Sequence, residues 1–201
     1  MSALAALPLA AATPGAAPLR ERLVQAALTL FAAQGYQAVS MRDLARHLGV
    51  QPGSLYYHVQ GKEELLVEGL EDTLTELLHQ TRQALRPHAG PRARLGVFFT
   101  TYFAFKASHE APLRLLAREA PLLSAAVGSG IQALREAYRE ELSQVLRQLP
   151  GVAGQPCDGL ARLLLGTLSG QLHWPVPDQE LQAFLLGVLR PESPASRSCP
   201  T

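Results

Sequence analysis

Between Ser40 and Lys62 the chain gathers side chains suited to binding rather than reacting: the Ser40 and Ser54 hydroxyls, the Arg42 guanidinium, the Gln51 amide, the Tyr56 and Tyr57 phenols, the His58 imidazole and the Lys62 ammonium. Cations and hydroxyl donors suit phosphate oxygens, whereas amides, hydroxyls and aromatic rings can meet base edges, thymine methyls and sugars in a nucleic-acid groove. Two short helices must hold these groups in place. Ser40 is a good N-cap for the first, accepting from the Asp43 N–H while the Asp43 carboxylate favours the positive helix end. Leu44, Ala45 and Leu48 give that helix an apolar face, and Gly49 can take the left-handed conformation that ends it. Pro52 needs no N–H at the start of the second helix, whose Leu55 and Val59 stand four apart as anchors. The result is a sharp corner that leaves Ser54, Tyr56, Tyr57 and His58 on the outside.

The rest of the chain has to brace this corner. Leu23, Ala26, Ala27, Leu30 and Phe31 recur at helical spacing from about Leu19 until Gly35, so a helix of roughly four turns precedes it and completes a three-helix head. Val39 can pack back onto Leu44 as a hydrophobic staple. Glu63 and Glu64 mark the first turn of a long amphipathic helix from Lys62 towards Leu85, the natural mechanical link between this head and the remainder of the protein. Pro91 opens a helix rich in Phe98, Phe99, Tyr102, Phe103 and Phe105, readable as core packing, as a ligand pocket, or as both. Ala111-Pro112 is expected to break the chain before a short helix carrying Leu113, Arg114, Leu115, Leu116, Arg118 and Glu119. A long helix with a kink at Gly128-Ser129-Gly130 then reaches Leu149, with Arg135, Glu136, Arg139 and Glu140 on its outer side. Two last helices are expected over roughly Asp158 to Leu172 and Asp178 to Leu189. They bear apolar residues on more than one face, so a homodimer is expected there through Leu160, Leu163, Leu164, Thr167, Leu181, Phe184, Leu185 and Val188.

Composition bounds the rest. Of 201 residues, 47% are hydrophobic and 17% charged, with Leu and Ala dominant and no strand alternation, which describes a folded all-α protein with a real core. A net charge of +1 is weak for a polyanion binder, so nucleic-acid contacts have to rest on local placement. Cys157 and Cys199 form neither a disulfide framework nor a zinc site, and a reducing, cytoplasmic setting is the simplest expectation. His109 and His173 read as surface histidines, with no metal and no cofactor expected. Met1 to Leu19 carries Pro8, Pro14, Gly15 and Pro18, which argues against a membrane span, and no charged residue opens it as in a secretory signal. The expected organisation is a flexible arm over 1–18, a helix-turn-helix head over 19–65, a helical regulatory and dimerisation domain over 66–190, and a disordered tail over 191–201.

The order of these features resembles the tetracycline-repressor (TetR) family of transcriptional regulators from about Leu19 to Leu70. The resemblance is carried by Leu28-Thr29-Leu30-Phe31-Ala32-Ala33-Gln34-Gly35-Tyr36, Ser40-Met41-Arg42-Asp43-Leu44-Ala45, Pro52-Gly53-Ser54-Leu55-Tyr56-Tyr57-His58-Val59 and Lys62-Glu63-Glu64-Leu65-Leu66. Val59 departs from it, standing where an aromatic residue is common. The family implies a homodimer that binds operator double-stranded DNA, palindromic in sequence, and is released by a small-molecule effector. On this chain it implies phosphate contacts from Ser40, Arg42 and Lys62, and a groove set of Gln51, Gly53, Ser54, Tyr56, Tyr57 and His58. A packing role for Tyr56 or Tyr57 stays open. Phe98, Phe99, Tyr102, Phe103, His109, Arg114 and Trp174 are the candidate effector contacts. Two other classes compete. An enzyme lacks support, since the chain shows no phosphate-cradling Gly-rich loop, no His-Glu-x-x-His and no Gly-x-Ser-x-Gly. A helical adaptor that binds protein through its head is favoured only by the near-neutral charge.

Overall fold

The computed structural model describes residues 18–88, 90–150, 152, 156–169 and 180–181. The expected tail and all of the expected arm but Pro18 lie outside the described residues, as do Trp174, Phe184, Leu185 and Val188 and nearly all of the helix expected over Asp178 to Leu189. Every described element is helical: α1 (Leu19–Gln34), α2 (Met41–Leu48), α3 (Pro52–Leu55), α4 (Lys62–Leu85), α5 (Pro91–Ser108), α6 (Glu110–Glu119), a 3₁₀ turn (Ala120–Leu122), α7 (Ser129–Arg147) and α8 (Cys157–Leu168). None of the described helices is long and apolar enough to cross a membrane.

Two apolar clusters organise these helices. The first joins Leu23, Val24, Ala27, Leu28 and Phe31 of α1 to Leu44, Ala45, Leu55 and Val59 of the corner and to Leu65, Leu66, Leu70 and Leu74 of α4. Val39 and Leu44, on either side of the α2 cap, are both buried in it. Val59 is 3% exposed, so the smaller side chain still seals its site. The second cluster lies between the far half of α4 and helices α5, α7 and α8, around Phe98, Phe99, Phe105, Tyr138 and Leu142. Helix α4 runs unbroken through both. Its Gly69 is a close-approach position, because a Cβ there would stand 2.8 Å from the Leu28 side chain of α1. The absent side chain lets the head seat against the spine.

The head cluster also reaches into the body. Leu115 of α6 and Ile131 of α7 are buried in it, and Arg118 of α6 donates to the Phe31 carbonyl of α1 at 3.4 Å. Helix α6 is therefore part of the floor on which α1 rests.

Three local expectations change. Ala111-Pro112 does not break the chain, because α6 begins at Glu110 and places Pro112 in its first turn, where a backbone N–H has no intrahelical partner to lose. Gly128-Ser129-Gly130 is not a kink within one helix: the chain leaves α6 through the 3₁₀ turn and α7 starts afresh at Ser129. The second helix of the corner is a single turn, and Tyr56, Tyr57 and His58 occupy the turn that comes after it.

Candidate nucleic-acid interface and ligand cavity

The corner is closed by local chemistry. The Ser40 hydroxyl accepts from the Asp43 N–H at 3.3 Å, and the Asp43 carboxylate accepts from the Ser40 N–H at 3.0 Å, a reciprocal cap on α2. Gly49 ends the helix at φ 69° and ψ 29°, a left-handed conformation that costs a glycine nothing. The Ser54 hydroxyl donates to the Gln51 carbonyl at 2.6 Å, tightening the single turn of α3.

Hydrogen bonds from the Ser40 hydroxyl and N–H, with the Arg46 guanidinium in support at 2.9 Å, hold the Asp43 carboxyl below the usual carboxylate range. A carboxyl with a depressed folded pKa stabilises the native state above its unfolded value, near about 4, and loses that contribution as pH falls through the depressed value. Thermal unfolding measured from pH 6 downwards is accordingly expected to fall more shallowly with acid in Asp43→Asn than in the parent chain. Parallel acid limbs would remove Asp43 from the account.

Around this cap lies the surface offered to a partner. Tyr56 is 60% and Tyr57 89% exposed, although rings of this size usually bury most of their area. Arg42, Gln51, Gly53 and His58 are exposed and Ser54 is half-buried. Ser40, Arg42, Tyr56 and Lys62 share the rim of one shallow depression. Among the described residues Arg42 has no acidic partner, so its charge is available.

Lys62 is placed differently from the phosphate contact expected of it. Its ammonium donates to the carbonyls of Tyr36, Gln37 and Val39 at 2.8, 3.3 and 3.2 Å and lies 4.5 Å from the centre of the Tyr36 ring. Three carbonyl acceptors and a ring face already satisfy this cation, so it ties the start of α4 to the turn before α2.

A second tie gave no signal in the sequence. The Arg20 guanidinium bonds Glu68 at 2.7 and 3.1 Å and Glu64 at 2.7 Å, and it also donates to the His58 carbonyl in the exposed turn. Glu64 in turn accepts from the Gln60 N–H at 2.7 Å; this bond first, and Arg20 second, hold its carboxyl below the usual range. The turn bearing the two tyrosines is thus clasped from beneath by α1 and α4.

The body contains a half-open cavity of about 360 Å³ reached by five helices. Leu74 and Leu77 of α4, Tyr102 of α5 and Leu113, Leu116 and Ala117 of α6 supply its apolar side. The polar side comes from α7 and α8, chiefly Arg135, Glu136, Arg139, Arg162 and Ser169. Of the expected effector contacts among the described residues only Tyr102 lines it. Phe98 and Phe99, 0% and 2% exposed, are interior packing, with Phe98 against Tyr138 at 5.0 Å between ring centres. Phe103 is likewise a core residue. His109 stacks on Phe105 at 3.9 Å and stands 3.5 Å from Glu76 where α5 passes into α6, and Arg114 pairs with Glu110 on the surface. Arg135 and Arg139, read in sequence as outer-face charges, instead line the cavity; the helical period shows which residues share a face but not which neighbour that face meets.

On α8, Leu163 is 60% exposed. Leu160 and Leu164 are half-buried against the body core, and Thr167 donates its hydroxyl to the Leu163 carbonyl at 2.9 Å. Leu181 also packs on that core.

A helix-turn-helix head seated on an all-helical body defines a class of bacterial regulators, and comparison with known proteins agrees. Residues 23–68 match the model of the family described as bacterial regulatory proteins, tetR family. The HTH-type transcriptional repressor KstR2 of Rhodococcus jostii is 38% identical over 100 residues, covering 49% of each chain. The solved structure of the ketosteroid transcriptional regulator KstR2 of Mycobacterium tuberculosis superposes with a TM-score of 0.71 at 27% identity, covering 86% of this chain and 93% of that one. That of AibR in complex with isovaleryl coenzyme A and operator DNA does so with a TM-score of 0.73 at 18% identity, covering 84% and 96%. The match to the TetR family thus covers the head, residues 23–68, and the body shares the fold of the solved regulators. It spans about half the length of the curated relatives it matches, and those relatives are named as transcriptional regulators rather than enzymes.

Proposed function

We propose that this protein is a homodimeric transcriptional repressor that binds a palindromic operator through its two heads and leaves it when a small molecule occupies the body cavity. The observation that carries the reading is the pair of tyrosines held in solvent, 60% and 89% exposed, on a turn clasped by Arg20. Aromatic rings fixed outside a core, beside the free Arg42 and the amide of Gln51, make a surface for a groove edge and its phosphates. Residues 19–65 would form the DNA-binding domain and 66–190 the regulatory and dimerisation domain, with the exposed face of α8 around Leu163 meeting its copy. Such a dimer sets two reading turns roughly 34–36 Å apart, one turn of DNA. The place of action would be the cytoplasm, on the nucleoid.

Helix α6 supplies the switch. Leu113, Leu116 and Ala117 of this helix line the cavity, while Leu115 and Arg118 meet the head. A ligand that prefers another position of α6 shifts the head away from its operator-competent placement, and α4, with Leu74 and Leu77 in the cavity wall, moves with it. AibR, which shares the fold, has been seen with both an acyl coenzyme A and operator DNA, in keeping with such a coupling.

Selection of bound sequences from random DNA by the purified full chain tests the reading. A two-fold symmetric site is expected, bound about a thousandfold or more above random DNA and weakening steeply with salt. Recovery of no common sequence would overturn it in favour of a protein-binding head.

A further inference from the structure

We propose that the body cavity takes an amphipathic anion, an apolar chain or ring body ending in a carboxylate or in the phosphates of a thioester carrier, with Arg135 and Arg162 reading the negative charge. The inference deepens the reading of this cavity as an effector site and rests on it.

The cavity is divided by chemistry. Its α4 and α6 sides present Leu74, Leu77, Leu113 and Leu116, which gain by covering an apolar body. Its α7 and α8 sides present three guanidinium groups and a single carboxylate, Glu136. That carboxylate is already used, because Glu136 is ion-paired to Arg139, which also meets Asp158 at 2.9 Å. Arg139 is therefore neutralised twice over. Arg135 and Arg162 have no carboxylate within ion-pairing distance among the described residues; Arg135 is half-buried, while Arg162 is exposed and feels the Glu136 charge only at longer range.

A general basic excess does not account for this, since the chain has 18 Lys and Arg against 17 Asp and Glu. Several other arginines of the body are paired, Arg82 with Glu141 at 2.6 Å, Arg114 with Glu110 at 3.7 Å and Arg147 with Glu140 at 2.8 Å, while Arg86, Arg92 and Arg94, which have no ion pair among the described residues, do not line the cavity. Two guanidiniums without a carboxylate at ion-pairing distance converge on a cavity that also has an apolar wall. A half-buried cation without a counter-charge keeps a desolvation penalty that a bound anion relieves, whereas a neutral ligand would deepen it and a cationic one would be repelled. Arg135 lies one turn from Arg139 on α7, and Arg162 comes from α8, so a forked acceptor can be met from two helices. A cavity of about 360 Å³ stands at the small end of ligand sites and suits a medium-length body.

The test needs no DNA. A neutral fluorescent probe, N-phenyl-1-naphthylamine, is bound to the full chain and displaced by decanoate, decanoyl coenzyme A, decan-1-ol or decyltrimethylammonium. At least one of the two anions is expected to displace the probe at about tenfold or more lower concentration than the alcohol, and the cation to displace it least. Displacement by decanoate places a carboxylate at the two arginines; displacement by the thioester alone places phosphates there. In Arg135→Gln/Arg162→Gln the preference for the anion should vanish while displacement by the alcohol is unchanged, with circular dichroism confirming the fold. Should that pair fail to fold, Arg162→Gln at an exposed position should show a partial loss of preference. An alcohol as effective as both anions, a preference that survives in the folded variants, or no displacement by any compound would each overturn the proposal. Because operator DNA is absent, such a failure leaves the DNA-binding reading standing; failure of operator selection with anion preference retained would remove only that reading.

Discussion

Tyr57→Ala is expected to leave the protein as stable as before and to weaken binding to its selected operator by about ten- to a hundredfold, while binding to random DNA is almost unchanged. The first half rests on exposure. At 89% exposed, the Tyr57 ring has almost no packing to lose, and surface substitutions away from caps and networks stay within about ±0.5 kcal/mol. The second half rests on what such a ring can contact in a groove, thymine methyls and base edges, where losing recognition of one base pair costs about 1–3 kcal/mol. Fluorescence anisotropy on both DNAs, beside a melting curve, measures the two halves separately. An equal loss on both DNAs would show that the ring meets only backbone, and a lower melting temperature would show that it packs after all.

Phe98→Ala should act in the opposite way, lowering stability by about 3–5 kcal/mol, the cost of removing a large aromatic side chain from a packed interior. Phe98 is 0% exposed and sits between Phe99, edge-on at 6.0 Å, and Tyr138 at 5.0 Å, so the space it vacates is walled by rings that cannot all move in. Phe98→Leu, which keeps most of the volume, should recover much of the loss. Denaturant unfolding measures both. If Phe98→Ala melted with the parent chain and instead lost affinity for cavity ligands, the ring would belong to the cavity and not to the core.

The contrast between these residues shows what a sequence makes legible. Ser40, Asp43, Gly49 and Pro52 act within a few positions of themselves, as cap, counter-cap, left-handed stop and helix start, so their roles could be read from type and spacing. Leu55 and Val59 showed which side of the corner turns inward, and hence that the tyrosines face out. Longer-range partners carried no such mark. The acceptors of Lys62 are three backbone carbonyls, and carbonyls look alike at every position. Arg20 meets acids some forty-odd residues away. Within α5 each large residue had a core reading and a ligand reading, because one periodicity serves both; the neighbours alone decided that Tyr102 lines the cavity and Phe98 does not. The cavity's arginines were missed for the same reason, since a helix face is outer only until another helix covers it.

Helix α6, a ten-residue segment, is at once a wall of the cavity and part of the floor of the head. A shared part of this kind cannot carry information in one direction only. If ligand lowers affinity for the operator by some factor through α6, the operator lowers affinity for ligand by that same factor. Operator DNA added to the protein should then raise the effector concentration needed to half-fill the cavity, by the same factor by which effector weakens the hold on DNA.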